Sequence, residues 1–166
     1  MNFVDLPTIA QIGATLAGFA ALASVIRGTI YDSDAIFGVV ANGVIALVFA
    51  LFALRFGKTP VALRMLAAGF GLASGAWLVR ELRVVYAAAR DKHATYDRTS
   101  AVIGYAYVLA IVSPPVLGAA VAADVWPGEA ALLYESALLV HVTAAALSLL
   151  DVVRRHTAFG GNPPAA

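Results

Sequence analysis

Apolar residues fall in five long blocks separated by short polar stretches. Three blocks carry no charge: Leu6 to Ile26, Ala35 to Leu54, and Ala101 to Ala123. A fourth, Val61 to Val79, has one early charge at Arg64, and a fifth, Ala130 to Leu150, carries Glu135 and His141. A hydrocarbon core about 30 Å thick takes roughly 20 helical residues to cross, at about 1.5 Å per residue. The blocks are continuously apolar and do not alternate with period two, so they predict helices and not barrel strands.

The polar stretches carry matching punctuation. Pro7, just after Asp5, suits a first helical turn, where its missing N–H costs nothing. Ser33 and Asp34 are cap candidates ahead of the second block, and Gly57 is a stop after it. Thr59–Pro60 opens the third block and Thr99–Ser100 the fourth, while Trp126–Pro127–Gly128–Glu129 turns the chain into the fifth. No Gly or Pro interrupts Arg80 to Ala89, so the third helix is expected to run on to about residue 89. The N-terminus has no basic stretch, so no cleavable signal is expected.

The expected fold is an all-α integral membrane protein in one domain, residues 1–156. It is a compact bundle of five transmembrane helices, at about 6–26, 35–54, 61–89, 101–123 and 130–150, followed by a disordered tail over 157–166. An alternative has four full spans. In it Pro114 and Pro115 break the fourth block into a re-entrant pair, because a prolyl pair frees carbonyls that lipid cannot satisfy.

Composition narrows the class. The 166 residues are enough for one domain. They are 61% hydrophobic and 13% charged, against about 45–50% and about 25% in a soluble domain. Too few polar groups remain to cover a soluble globule, and the absence of Cys excludes a disulfide scaffold. A net charge of +1 creates no field that would draw nucleic acid. The placement of charge says more than its sum. With five spans, Arg27, Arg80, Arg83, Arg90, Lys92, Arg98, Arg154 and Arg155 share one side, and only Arg55, Lys58 and Arg64 face the other. Cytoplasmic loops hold the Lys/Arg excess, so the N-terminus is expected outside and the C-terminus inside.

The chemistry available within the blocks is sparse. An ionisable side chain at mid-bilayer costs about 2.5–3.5 kcal/mol on insertion scales, so each needs a reason. Gln11, Thr15, Asn42, Glu135 and His141 form a candidate polar intramembrane path. Tyr134, His141 and Ser148 are spaced by seven and share a helix face, as a buried hydrogen-bonded stripe would. Glu135 and His141, six apart, lie on different faces. Asn42 is expected in an interhelical hydrogen bond. Tyr86, Tyr105, Tyr107, Trp77 and Trp126 suit an interfacial belt. Arg80, Arg83 and Arg90 are candidate lipid-headgroup contacts at the end of the third helix.

Small residues let membrane helices approach closely. Rows at four-residue spacing are Ala10/Ala14/Gly18, Gly13/Ala17/Ala21, Ala67/Gly71/Gly75 and Gly38/Asn42/Ala46/Ala50. No nucleotide, hydrolase or metal motif is present, so neither enzyme activity nor a cofactor nor a metal is expected. One deep imidazole per chain also does not supply a pair of haem ligands.

The first block, Ile9 to Leu22, contains Ala14–Thr15–Leu16–Ala17–Gly18–Phe19. This run resembles the opening helix of a loose group of uncharacterised small bacterial multi-span membrane proteins. Members end on an apolar helix followed by basic residues, as Arg154–Arg155 do here. The resemblance implies a bacterial inner membrane and assigns no activity. The expected function is therefore that of a non-enzymatic, self-associating inner-membrane bundle, with lipid and a second copy as partners and no nucleic acid. The alternative is an oligomeric ion or proton channel or transporter that uses Gln11, Thr15, Asn42 and His141.

Overall fold

The computed structural model describes residues 6–27, 33–89 and 98–159. They form five α-helices and contain no strand: α1 Leu6–Arg27, α2 Ser33–Phe56, α3 Pro60–Ala89, α4 Arg98–Ala122 and α5 Ala130–Phe159. A 3-10 turn, Pro127–Glu129, leads into α5 with Pro at its start. All five apolar blocks are thus helical, and α3 runs on to Ala89 as expected. Ser33 is the first residue of α2 and does not stand ahead of it. Residues 157–159, expected in a disordered tail, are the last of α5; 160–166 lie outside the described residues, as does Asp5.

The helix ends follow from side chains next to them. Thr59 caps α3: its hydroxyl accepts the Ala62 N–H at 3.2 Å and its carbonyl accepts that of Leu63 at 3.0 Å. Gly57 closes α2 by donating its N–H to the Ala53 carbonyl at 2.8 Å. A Cβ at Gly57 would lie 2.7 Å from that oxygen, which is why the chain stops there on glycine. Asp124 leaves α4 with φ 58, a left-handed conformation that Asp tolerates better than most residues.

Pro114 and Pro115 sit inside α4 without breaking it. The prolyl pair therefore does not split the fourth block as the re-entrant alternative expected. Lipid does not reach the weakened turn on its inner side, since Ala110, Ile111 and Pro114 are buried against neighbouring helices. Ser113 reinforces the turn by donating its hydroxyl to the Leu109 carbonyl at 3.0 Å.

Four helices form a ring in the order α2, α3, α4, α5, with α5 also against α2. α1 lies outside the ring, packed on α2 and α5. Neighbours in the ring are antiparallel. Phe37 near the start of α2 meets Trp77 late in α3, and Arg64 early in α3 pairs with Asp124 just past α4. Tyr134 early in α5 donates its hydroxyl to the carbonyl of Phe49, late in α2, at 3.1 Å. The four ring helices are long and apolar enough to cross a membrane, whereas the described apolar stretch of α1 is shorter, Leu6–Ala20. Met65, Leu72, Leu109 and Val61 are more than half exposed on the outside, as residues facing lipid would be. The length and surface of these helices are those of a membrane protein.

Glycine decides which helices come closest. A Cβ added to Gly13 of α1 would lie 2.8 Å from the Gly43 carbonyl of α2, and the converse distance is also 2.8 Å. The two backbones therefore touch. Gly118 of α4 is similarly tight, 3.1 Å from both the Ala67 carbonyl and Gly71 Cα of α3. Gly13 and Ala17 of one expected row do pack inward. The other α1 row does not: Ala10 is buried while Ala14 and Gly18 are exposed. The α2 row Gly38/Asn42/Ala46/Ala50 is buried throughout.

Candidate functional site

The ring closes around one polar cluster. Asn42 of α2, Ser74 of α3 and His141 of α5 are all buried, each at 1% exposure or less. His141 Nδ1 is 2.7 Å from Asn42 Oδ1, and its Nε2 is 2.9 Å from Ser74 Oγ. Asn42 Nδ2 donates to the Gly38 carbonyl one turn earlier, at 2.8 Å. That carbonyl can only accept, so Nδ2 is turned to it and Oδ1 faces the imidazole. An acceptor opposite Nδ1 puts the ring hydrogen on Nδ1. In a neutral imidazole Nε2 then accepts the Ser74 hydroxyl. Three helices are joined through one side chain, and every hydrogen-bonding group of the imidazole is used.

Aromatic rings enclose the cluster on one side. Phe70 of α3 packs edge-on against His141 at 5.4 Å and against Tyr134 at 5.8 Å between ring centroids. On the other side Tyr107 of α4 is half-buried, with its hydroxyl in hydrogen-bonding reach of Ser148, Asn42 and Glu81. Gly38 lies beside them: an added Cβ would stand at ordinary contact distance, 3.6 Å from Ser148 Oγ and 3.8 Å from the Tyr107 oxygen. Ser148 itself donates to the Ala144 carbonyl at 3.0 Å. The polar strip thus runs from Ser74 through His141 and Asn42 to Tyr107 and Glu81 near the end of α3.

Of the residues expected along a polar path, Asn42 and His141 meet. Gln11 and Thr15 do not join them, because both lie on the exposed face of α1, where Thr15 bonds the Gln11 carbonyl at 2.8 Å. Glu135 is buried one turn and a half before His141, on a different face. The Tyr134/His141/Ser148 stripe is buried along its length, as its spacing predicts. Tyr105, Tyr86 and Trp126 are exposed as belt residues would be, but Tyr107 and Trp77 are not. Tyr107 turns in toward Asn42, and Trp77, 7% exposed, packs against Phe37 at 5.6 Å.

Arg80 departs from the expectation of a lipid-facing cation. Its guanidinium bonds Glu81 at 2.7 Å and stacks over Phe37 and Trp77, at 4.7 and 4.9 Å from the ring centroids. Arg83 is exposed, and the side chain of Arg90 lies outside the described residues. Ser74, Glu81 and Phe70 were missed as site residues. Ser74 is a lone hydroxyl in a run of Ala and Gly, which is a weak signal. Glu81 reads as one more charge in a basic flank. Among the described residues no group of three or more His, Cys, Asp or Glu side chains could hold a metal ion.

Comparison of this chain with protein-family models, curated proteins and solved structures finds no match.

Proposed function

We propose that this chain is a non-enzymatic, five-span protein of a bacterial inner membrane that works as a self-associating helical bundle. Its N-terminus is outside and its C-terminus inside. The observation that carries this reading is the way the interior polar side chains are used. Asn42 and Ser74 each bond His141 between packed helices, and a carboxamide stands between the imidazole and the rest of the strip. A carboxamide holds its hydrogens and does not pass a proton on as a hydroxyl or carboxyl does. The cluster is built to join α2, α3 and α5. Self-association draws support from Gly18 and Gly75, which meet nothing within 4 Å and leave backbone open to a second copy.

The second reading is an ion or proton path. It is favoured by Tyr107, which lies in reach of both Asn42 and Glu81. Purified protein in liposomes separates the two. The bundle reading expects an imposed proton gradient to decay no faster than in empty vesicles, and light scattering in detergent to give a dimer or larger. Gradient collapse that His141→Ala abolishes, in a protein that stays folded, would establish the path and sink the bundle reading. A monomer at all concentrations would remove self-association.

A further inference from the structure

The contact of Arg80 with Glu81 is not what a helix produces by default. Adjacent side chains on a helix point about 100° apart and do not face each other. Here the guanidinium nevertheless reaches the neighbouring carboxylate at 2.7 Å while lying over two rings. The rings come from different helices, Phe37 from α2 and Trp77 from α3, with centroids 5.6 Å apart and planes tilted by 47°. Two inclined ring faces beside a carboxylate are the recognition set for an organic cation. The carboxylate is well placed for this, since the Glu81 side chain is only 11% exposed.

Trp77 points the same way. Its Nε1 is buried and has no hydrogen-bond partner, which is costly for an indole. Its position is explained by the ring face and not by the N–H. Arg80 also has a second place to go. It sits late in a span, with a side chain about one-third exposed, where a long basic side chain can extend to headgroup phosphates.

We propose that Phe37, Trp77 and Glu81 form a binding site for a small organic cation of the guanidinium or quaternary-ammonium class, and that Arg80 fills this site in the absence of ligand. The tethered guanidinium acts as an internal competitor. A ligand enters when Arg80 swings out toward the lipid headgroups. The ring faces of this site lie outside the polar strip that runs through His141, and Glu81 is the one residue the two share.

Trp77 is itself the reporter. The chain has two Trp, so Trp126→Phe leaves one indole. Full-length protein in a maltoside detergent, which carries no charge, is titrated with tetramethylammonium or methylguanidinium chloride, and with sodium chloride as control. With Arg80→Ala added, a saturable fluorescence change is expected in the millimolar range. With Arg80 in place it is expected to need about tenfold more ligand, because a tethered competitor has an effective concentration on the order of millimolar or higher. Glu81→Gln in the Arg80→Ala background should weaken the response about tenfold, by removing the charged partner of the cation.

A response no different from sodium chloride, or one that Glu81→Gln leaves unchanged, overturns the proposal. Arg80→Gln, closer in length, replaces Arg80→Ala if the shorter variant loses its helical circular dichroism. If neither folds, the Trp126→Phe protein must still saturate at high ligand, and failure to do so also overturns it. Vesicles of phosphatidylglycerol with and without phosphatidylcholine then separate the sources of cation. Suppression of the response by phosphatidylcholine identifies the lipid's quaternary ammonium as occupant, and equal responses identify a free cation.

Discussion

His141 uses both ring nitrogens on side chains of other helices, so its partners are coupled through it. A buried polar group left without its partner costs about 1–3 kcal/mol in proteins generally, and interhelical bonds in membranes average less, about 0.6 kcal/mol with a maximum near 1.7. Asn42→Ala and His141→Ala are each expected to destabilise the bundle. Their double-mutant cycle, measured by detergent-denaturant unfolding, is expected to show coupling of about 1 kcal/mol. Additive effects would mean that the 2.7 Å contact contributes nothing. Asn42 was legible as an interhelical bond because an amide in an apolar run needs a partner. Its partner was not legible, because His141 lies about a hundred residues away and periodicity says only which residues share a face. Ser74 carried no such signal, since a hydroxyl can bond its own helix backbone, as Thr143 and Ser148 do.

Among the helices, backbone contact sets the strongest constraints. Gly13 and Gly43 each sit where an added Cβ would be 2.8 Å from the other's carbonyl. Gly43→Ala must push α1 away, at a cost of about 1–3 kcal/mol typical of overpacking. Gly18→Ala and Gly75→Ala, with open space around them within one chain, should change the stability of the single-chain fold by no more than about 0.5 kcal/mol, any larger effect falling on self-association. Thermal unfolding in detergent measures the contrast, and equal effects at all three positions would contradict the packing described. Rows of small residues were visible along the chain, but not which row faces inward. Gln11 and Thr15 mark one face of α1, but a polar face on a membrane helix can meet a neighbour as well as the outside, so the sequence did not say which way it turns. Gly43 and Gly118 belong to no expected row and were found only in the fold. The prolyl pair shows the opposite limit. It looked like a break, yet burial of that turn against neighbouring helices keeps α4 continuous.

At the level of the whole molecule, the ring of α2 to α5 accounts for the four helices that meet the length and apolarity of a span, with α1 outside it. The Arg64–Asp124 ion pair ties the start of α3 to the end of α4. It leaves the orientation argument unchanged, because the rule counts Lys and Arg and gives acidic residues little weight. Reporter fusions at the C-terminus are expected to be active in the cytoplasm, and a C-terminal tail outside the cell would overturn the five-span arrangement. Helices, their approximate ends and the exclusion of a soluble fold came from local properties: runs of apolar residues, caps, and charge gathered between the runs. Such properties act over one or two turns or over bilayer thickness, and a single chain carries them openly. The joining of Asn42, Ser74 and His141, the inward turn of Tyr107, and the stacking of Arg80 over Phe37 and Trp77 required the fold. Each depends on the rotation of one helix against another, and that rotation is set by glycine contacts and side-chain packing between residues far apart in the chain.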